Sequence, residues 1–88
     1  ALDWAANELP IAWQGRTLRL DRLLRRRGAD GRPEWWVLDH KLQAAPQHDA
    51  ELVAQLRRYR EAVAALRPGE TVRAAFVTGG GEVVEVGD

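Results

Sequence analysis

The chain has 88 residues, neither cysteine nor methionine, and 13 basic against 13 acidic side chains, for a formal charge of zero. That length makes one domain with a thin core. The composition excludes a disulfide scaffold and a Cys/His zinc site, offers no apolar run near the roughly 20 residues of a membrane helix, and lacks the basic excess of a self-sufficient nucleic-acid-binding domain.

The N-terminus shows neither a cleavable secretory signal nor a transit-peptide composition. With Ala1 first and no methionine anywhere, the chain reads as a single domain over 1–88, cut from a longer cytoplasmic polypeptide. Residues Ala1 to Leu9 show no clean period, and Pro10 disfavours helix before it. The pattern becomes clear at Ile11. Ile11 to Trp13, the turn Gln14-Gly15, and Thr17 to Leu24 suggest a hairpin in which Leu18 and Leu20 alternate with Arg19 and Asp21. The basic run Arg25-Arg26-Arg27 suits either a solvated strand end that discourages aggregation or a phosphate contact. Gly28 to Pro33 is turn-forming throughout.

Trp35 to Leu38 is a short continuous apolar run, expected as an interior strand covered on both faces, and it ends on Asp39-His40-Lys41. Pro46 and Asp49 announce a helix, with Asp49 as cap or first-turn carboxylate. Leu52, Leu56, Tyr59, Val63 and Leu66 recur at spacings of four and three and form one apolar stripe. Pro68-Gly69 stops the helix. Val72 to Thr78 and Glu82 to Val86 read as strands around Gly79-Gly80-Gly81. The expected fold is therefore α/β in the broad sense (α+β), a mixed sheet with one main helix on a face.

Chemistry concentrates at two strands. Residues two apart on a strand share a face at roughly 6.5 to 7 Å, so Asp39 and Lys41 project together with Trp35 and Val37, while His40 projects away. Asp21 interrupts a leucine-rich strand expected to lie alongside. Two carboxylates from adjacent strands suit a hard cation such as Mg²⁺, and a neighbouring lysine suits a developing phosphate charge. The plain alternatives are an exposed Asp39–Lys41 ion pair and an Asp21 paired with Arg19 or Arg22.

Leu20-Asp21-Arg22, Asp39-His40-Lys41 and Gln55-Leu56-Arg57-Arg58-Tyr59, in that order, resemble the RecB-type nuclease branch of the PD-(D/E)XK superfamily, which includes the C-terminal modules of UvrD/RecB/AddA-like helicase-nucleases. Its pattern is an Asp on one strand, Asp-Tyr-Lys on the next and Gln-x-x-x-Tyr on the following helix. The resemblance spans about Glu8 to Val86. It implies a restriction-endonuclease-like core, with Asp21 and Asp39 binding Mg²⁺ or Mn²⁺, Lys41 assisting the attacking water, and Gln55 and Tyr59 lining the site or the DNA path. Glu8 resembles an acid preceding the first strand in many relatives and is an accessory metal-ligand candidate.

The chain departs from the pattern at Leu18, His40 and Leu42, where relatives favour Gly, Tyr and Ser or Thr. It also lacks the family's first helix, which often supplies a histidine to the metal; His40 and His48 do not fit that role. The implied activity is an Mg²⁺-dependent deoxyribonuclease, expected to be an exonuclease, in DNA repair or recombination, with DNA and a helicase domain of the same polypeptide as partners. The competing function is a catalytically inactive nuclease-fold module that clamps DNA or braces the helicase, for which Trp4, Trp13, Trp35 and Trp36 offer aromatic surface. A third reading is a small α/β domain whose charges only decorate strand ends.

Overall fold

Turn chemistry divides the chain much as its glycines and prolines suggest. The computed structural model describes residues 2–87. Five strands and one long helix follow in the order β1 (Leu2–Trp13), β2 (Arg16–Arg27), β3 (Pro33–Lys41), a 3-10 turn (Pro46–His48), α1 (Ala50–Leu66), β4 (Thr71–Thr78) and β5 (Val83–Val86). The strands form one sheet in sequence order. Only β3 and β4 are parallel, as required by the helical crossover between them; the other neighbours are antiparallel. The protein is thus a small α+β domain.

Helix α1 begins where Asp49 accepts hydrogen bonds from the backbone N–H groups of Glu51 and Leu52, at 3.0 and 3.3 Å. These satisfy two of the donors that a helix start leaves orphaned. Its apolar stripe meets the sheet through Leu56, Ala62 and Val63, all buried. Leu66, assigned to the same stripe, is instead 54% exposed at the last turn, at the edge of an open cavity between the helix end and the sheet. The core gathers Leu20, Leu23, Trp35, Val37, Leu56, Val63, Ala74, Phe76 and Val86 on that face.

Two expectations are corrected. The region before Ile11 is strand from Leu2 onward; its pattern is obscured because the side-chain alternation changes phase within it. The register shifts between Leu2 and Trp4, and Glu8 adopts φ +48°. The same break is visible across the ladder, where Leu20 and Leu23, an odd number of positions apart, both enter the helix-side core, which a regular strand forbids. The second correction concerns β3, which is helix-covered on one face only. Trp35 and Val37 are buried beneath α1, whereas Trp36 and Leu38 lie half-buried on the opposite face.

That opposite face carries the arginines. Arg26 and Arg73 place their guanidinium groups over the Trp36 ring, at 5.8 and 4.6 Å from its centroid. Both also pair with the buried carboxylate of Glu34, at 2.9 and 3.5 Å, and Arg73 continues to Glu85. Arg25 lies over Trp35 on the helix face, and Arg27 donates to the Gly31 carbonyl. All three residues of the basic run therefore have intramolecular partners.

Candidate active site

The change of phase in β1 and β2 decides where Asp21 goes. Leu20 packs into the core; without the break, Asp21 would face the other way. Extending the β2–β3 register beyond its last pair, Arg22 with Leu38, brings Asp21 opposite Asp39. Trp35, Val37 and Asp39 are alternate residues of β3 and are all buried, so the acid pair lies on the helix face. Beyond it, Lys41 pairs with Thr78 of β4. Gly79, next in the chain, lets the Leu42 carbonyl pass 3.1 Å from where a Cβ would stand, which leaves the end of β3 seated close against β4.

Asp39 is 5% exposed, and its Oδ2 has no hydrogen-bond donor. The nearest cation, the Lys41 ammonium, stands 3.5 Å from that oxygen. Burial and the neighbouring Asp21 carboxylate push the Asp39 pKa up to about 6, against the pull of Lys41. Burial acts on Asp21 in the same direction. For Asp21, however, the hydrogen bond with Asp39, the His40 backbone N–H and the charges of His40 and Lys41 prevail, and its pKa is lowered. The two carboxyls therefore share a proton unequally, as acids in one site do. Asp39 keeps its proton up to about pH 6, whereas Asp21 gives its own up more readily.

The His40 backbone N–H donates to Asp21 Oδ2 at 2.8 Å. Its ring Nδ1 is 3.9 Å from the same oxygen. Alternation alone placed His40 on the far side; its proximity to Asp21 arises because the ladder ends there and the Asp21 side chain reaches over the strand end. Nothing in residue spacing signals that contact. Neither Arg19 nor Arg22 takes Asp21 as its partner, and Arg22 donates to the Asn7 side chain instead, at 2.7 Å.

Tyr59 reaches the same field from the helix. Burial raises the pKa of its phenol, and Asp39 and Asp21 raise it further, while Lys41 and Arg58 oppose them. Gln55 is half-buried one turn earlier on α1. Glu8 lies between residues paired with Arg22 and Leu20, hence across from Asp21, but it is exposed and its backbone is left-handed. His48 is exposed in the 3-10 turn. Among the described residues no group of three or more His, Cys, Asp and Glu side chains is assembled for a metal ion, so the protein oxygens gathered at this point come from two carboxylates.

The arrangement brings together Asp21, Asp39, Lys41 and Tyr59 from two strands and a helix. No family model, curated protein or solved structure matches the chain. Among the described residues no helix is long and apolar enough to cross a membrane.

Proposed function

We propose that this chain is the catalytic part of a divalent-metal-dependent DNA nuclease, joined in its parent polypeptide to a helicase. The observation that carries this reading is the Asp39 carboxyl: buried, with one oxygen lacking a donor, and facing a second carboxylate. A carboxyl so placed is short of positive charge, which a cation beside it would supply. Asp21 and Asp39 fit Mg²⁺ or Mn²⁺, because Mg²⁺ commonly takes one or two carboxylates and completes its shell with water and phosphate oxygens. When bound, such an ion acts as a Lewis acid toward the phosphoryl oxygen.

The remaining groups have distinct tasks. Lys41, held against Asp39, orients the attacking water and balances negative charge as it develops on the phosphate. The His40 N–H fixes one Asp21 oxygen and leaves the other to coordinate. Tyr59 and Gln55, four apart on α1, face the reacting strand together and donate to it. Zero net charge is compatible with this role if the attached motor makes most of the phosphate contacts.

Calorimetric titration with Mg²⁺, paired with cleavage of end-labelled DNA, tests the assignment. Asp21→Asn and Asp39→Asn are expected to lose cation binding and to slow cleavage by about 10³-fold or more; Lys41→Ala keeps the cation and slows cleavage by about 10²- to 10³-fold. Equal binding and cleavage in all four proteins would end the proposal. A wild-type protein that binds Mg²⁺ and DNA but cuts nothing would support the inactive clamp instead.

A further inference from the structure

A second site lies on the same sheet face, at the other end of α1. Here the helix leaves β1 and β2 uncovered, and a cavity of ≈ 690 Å³ opens between Trp4, Leu9, Trp35, Val63, Arg25 and Arg67, within the size range of ligand pockets. Its centre is aromatic. Trp4 and Trp35 meet edge to face with centroids 5.7 Å apart, and the Arg67 guanidinium lies 5.1 Å from the Trp35 ring.

The charges around this cavity are unequally satisfied. Arg25 has carboxylates on two sides, Asp3 at 3.6 Å and Glu70 at 3.8 Å. Glu70 also accepts from the Trp35 indole, at 3.3 Å. Among the described residues Arg67 has no carboxylate partner; its one charge contact is the Trp35 ring. Trp4 remains 44% exposed. A partly open aromatic ring beside an uncompensated guanidinium complements a ligand that carries both a flat π surface and a negative charge, the two features each nucleotide repeats.

The separation from the acid pair selects the form of that ligand. Trp35 and Asp39 are four residues apart on β3, about 13 Å at the rise of a strand, which is about four steps of a stacked nucleic-acid strand. We infer that the Trp4–Trp35–Arg67 cavity binds an unpaired base and adjoining phosphate of a single strand whose scissile phosphate lies at Asp21 and Asp39. Duplex substrates keep their bases in the stack and do not present one to the Trp4 ring. This inference rests on the nuclease reading for the second half of its statement and on the cavity alone for the first.

The test uses the whole chain in EDTA, so that metal-dependent cleavage plays no part, with tryptophan fluorescence reporting the binding of short oligothymidylate, oligouridylate and a blunt duplex. Single strands are expected to bind more tightly than duplex, and comparison of the two oligomers tells DNA from RNA preference. Trp4→Ala and Arg67→Glu should each weaken single-strand binding by about 5- to 100-fold, with Trp4→Phe restoring it. Arg67 lies at the exposed end of the helix, so its variant remains informative if Trp4→Ala fails to fold. With Mg²⁺, both variants should raise KM for a long single strand but leave cleavage of a dinucleotide unchanged, since that substrate does not reach the cavity. Identical single-strand affinity in wild type and Arg67→Glu, duplex binding as tight as single-strand binding, or closure of the cavity by a second copy in a sizing experiment would overturn the inference. Altered oligonucleotide binding without any Mg²⁺-dependent cleavage would sustain the cavity and sink only the nuclease reading.

Discussion

Strand β3 carries two buried carboxylates five residues apart, Glu34 near its start and Asp39 near its end, and their surroundings are opposite. Glu34 is 7% exposed and Asp39 5%, so desolvation acts on both. At Glu34 the Trp36 indole donates at 3.1 Å, Arg26 donates at 2.9 Å and Arg73 stands 3.5 Å away. Against the cost of burial, these hold its pKa below the ordinary glutamate value. Asp39 has one lysine at 3.5 Å, an acid as its cross-strand neighbour and a pKa of about 6. The first carboxylate is compensated by the protein's own groups; the second is left for something else to compensate, which is how acidic sites differ from structural ion pairs.

The comparison can be broken most strongly at Glu34. Replacing it with Ala strips the Arg26 guanidinium and the Trp36 indole of their acceptor and leaves Arg73 with Glu85 alone, at an expected cost of about 2 to 3 kcal/mol in urea unfolding. Cleavage by the fraction that remains folded should not change. A loss of activity without a loss of stability would mean that the two ends of β3 are not separate in role.

Asp39→Asn sharpens the contrast, since here removal of a charge should stabilise. In the unfolded chain the carboxyl ionises near pH 3.9; in the folded protein it does so near pH 6. Between those values the folded state binds the extra proton, so the contribution of Asp39 to stability is complete below about pH 4 and is lost as pH rises through about 6. Metal-free Asp39→Asn should therefore exceed the wild type by on the order of 2 kcal/mol at pH 8, with the gap closing at pH 4. Saturating Mg²⁺ should narrow it at pH 8 by stabilising only the wild type. Glu34, whose folded pKa is lowered, supplies stability of the opposite sign, present above the unfolded value and lost as pH falls through the folded one. A mutant curve parallel to that of the wild type from pH 4 to 8 would contradict the assignment.

The smallest effect is expected at Asp49, which caps α1. Asp49→Ala should lower stability by about 1 kcal/mol at neutral pH while retaining the Asp39-dependent fall between pH 4 and 8. This variant separates general weakening of the domain from the specific titration.

Much of this was legible in the residues because local chemistry governed it. The helix cap at Asp49, the stop at Pro68-Gly69, the strand–strand–strand–helix–strand–strand order and the shared face of Asp39 and Lys41 each depend on spacing or on a turn residue. What escaped depends on tertiary geometry. The first half of β1 was hidden by its changes of phase, the open side of β3 by the coverage of Trp36 with arginines rather than a helix, and the contact of His40 with Asp21 by the end of the ladder. The proximity of Asp21 to Asp39 was anticipated, but the unequal sharing of their proton follows from burial and partners that no spacing reveals.

The left-handed backbone at Glu8 also bears on how the molecule behaves among its own copies. Strand β1 is the outer member of the sheet and runs for 12 residues, a length that would ordinarily invite another chain to add itself alongside. Near its middle the peptide turns out of line at Glu8, and two positions later Pro10 has no hydrogen to donate. An incoming strand meets an interrupted row, so the irregularity that turns an acid toward its partner also keeps the margin from serving as a template for fibres.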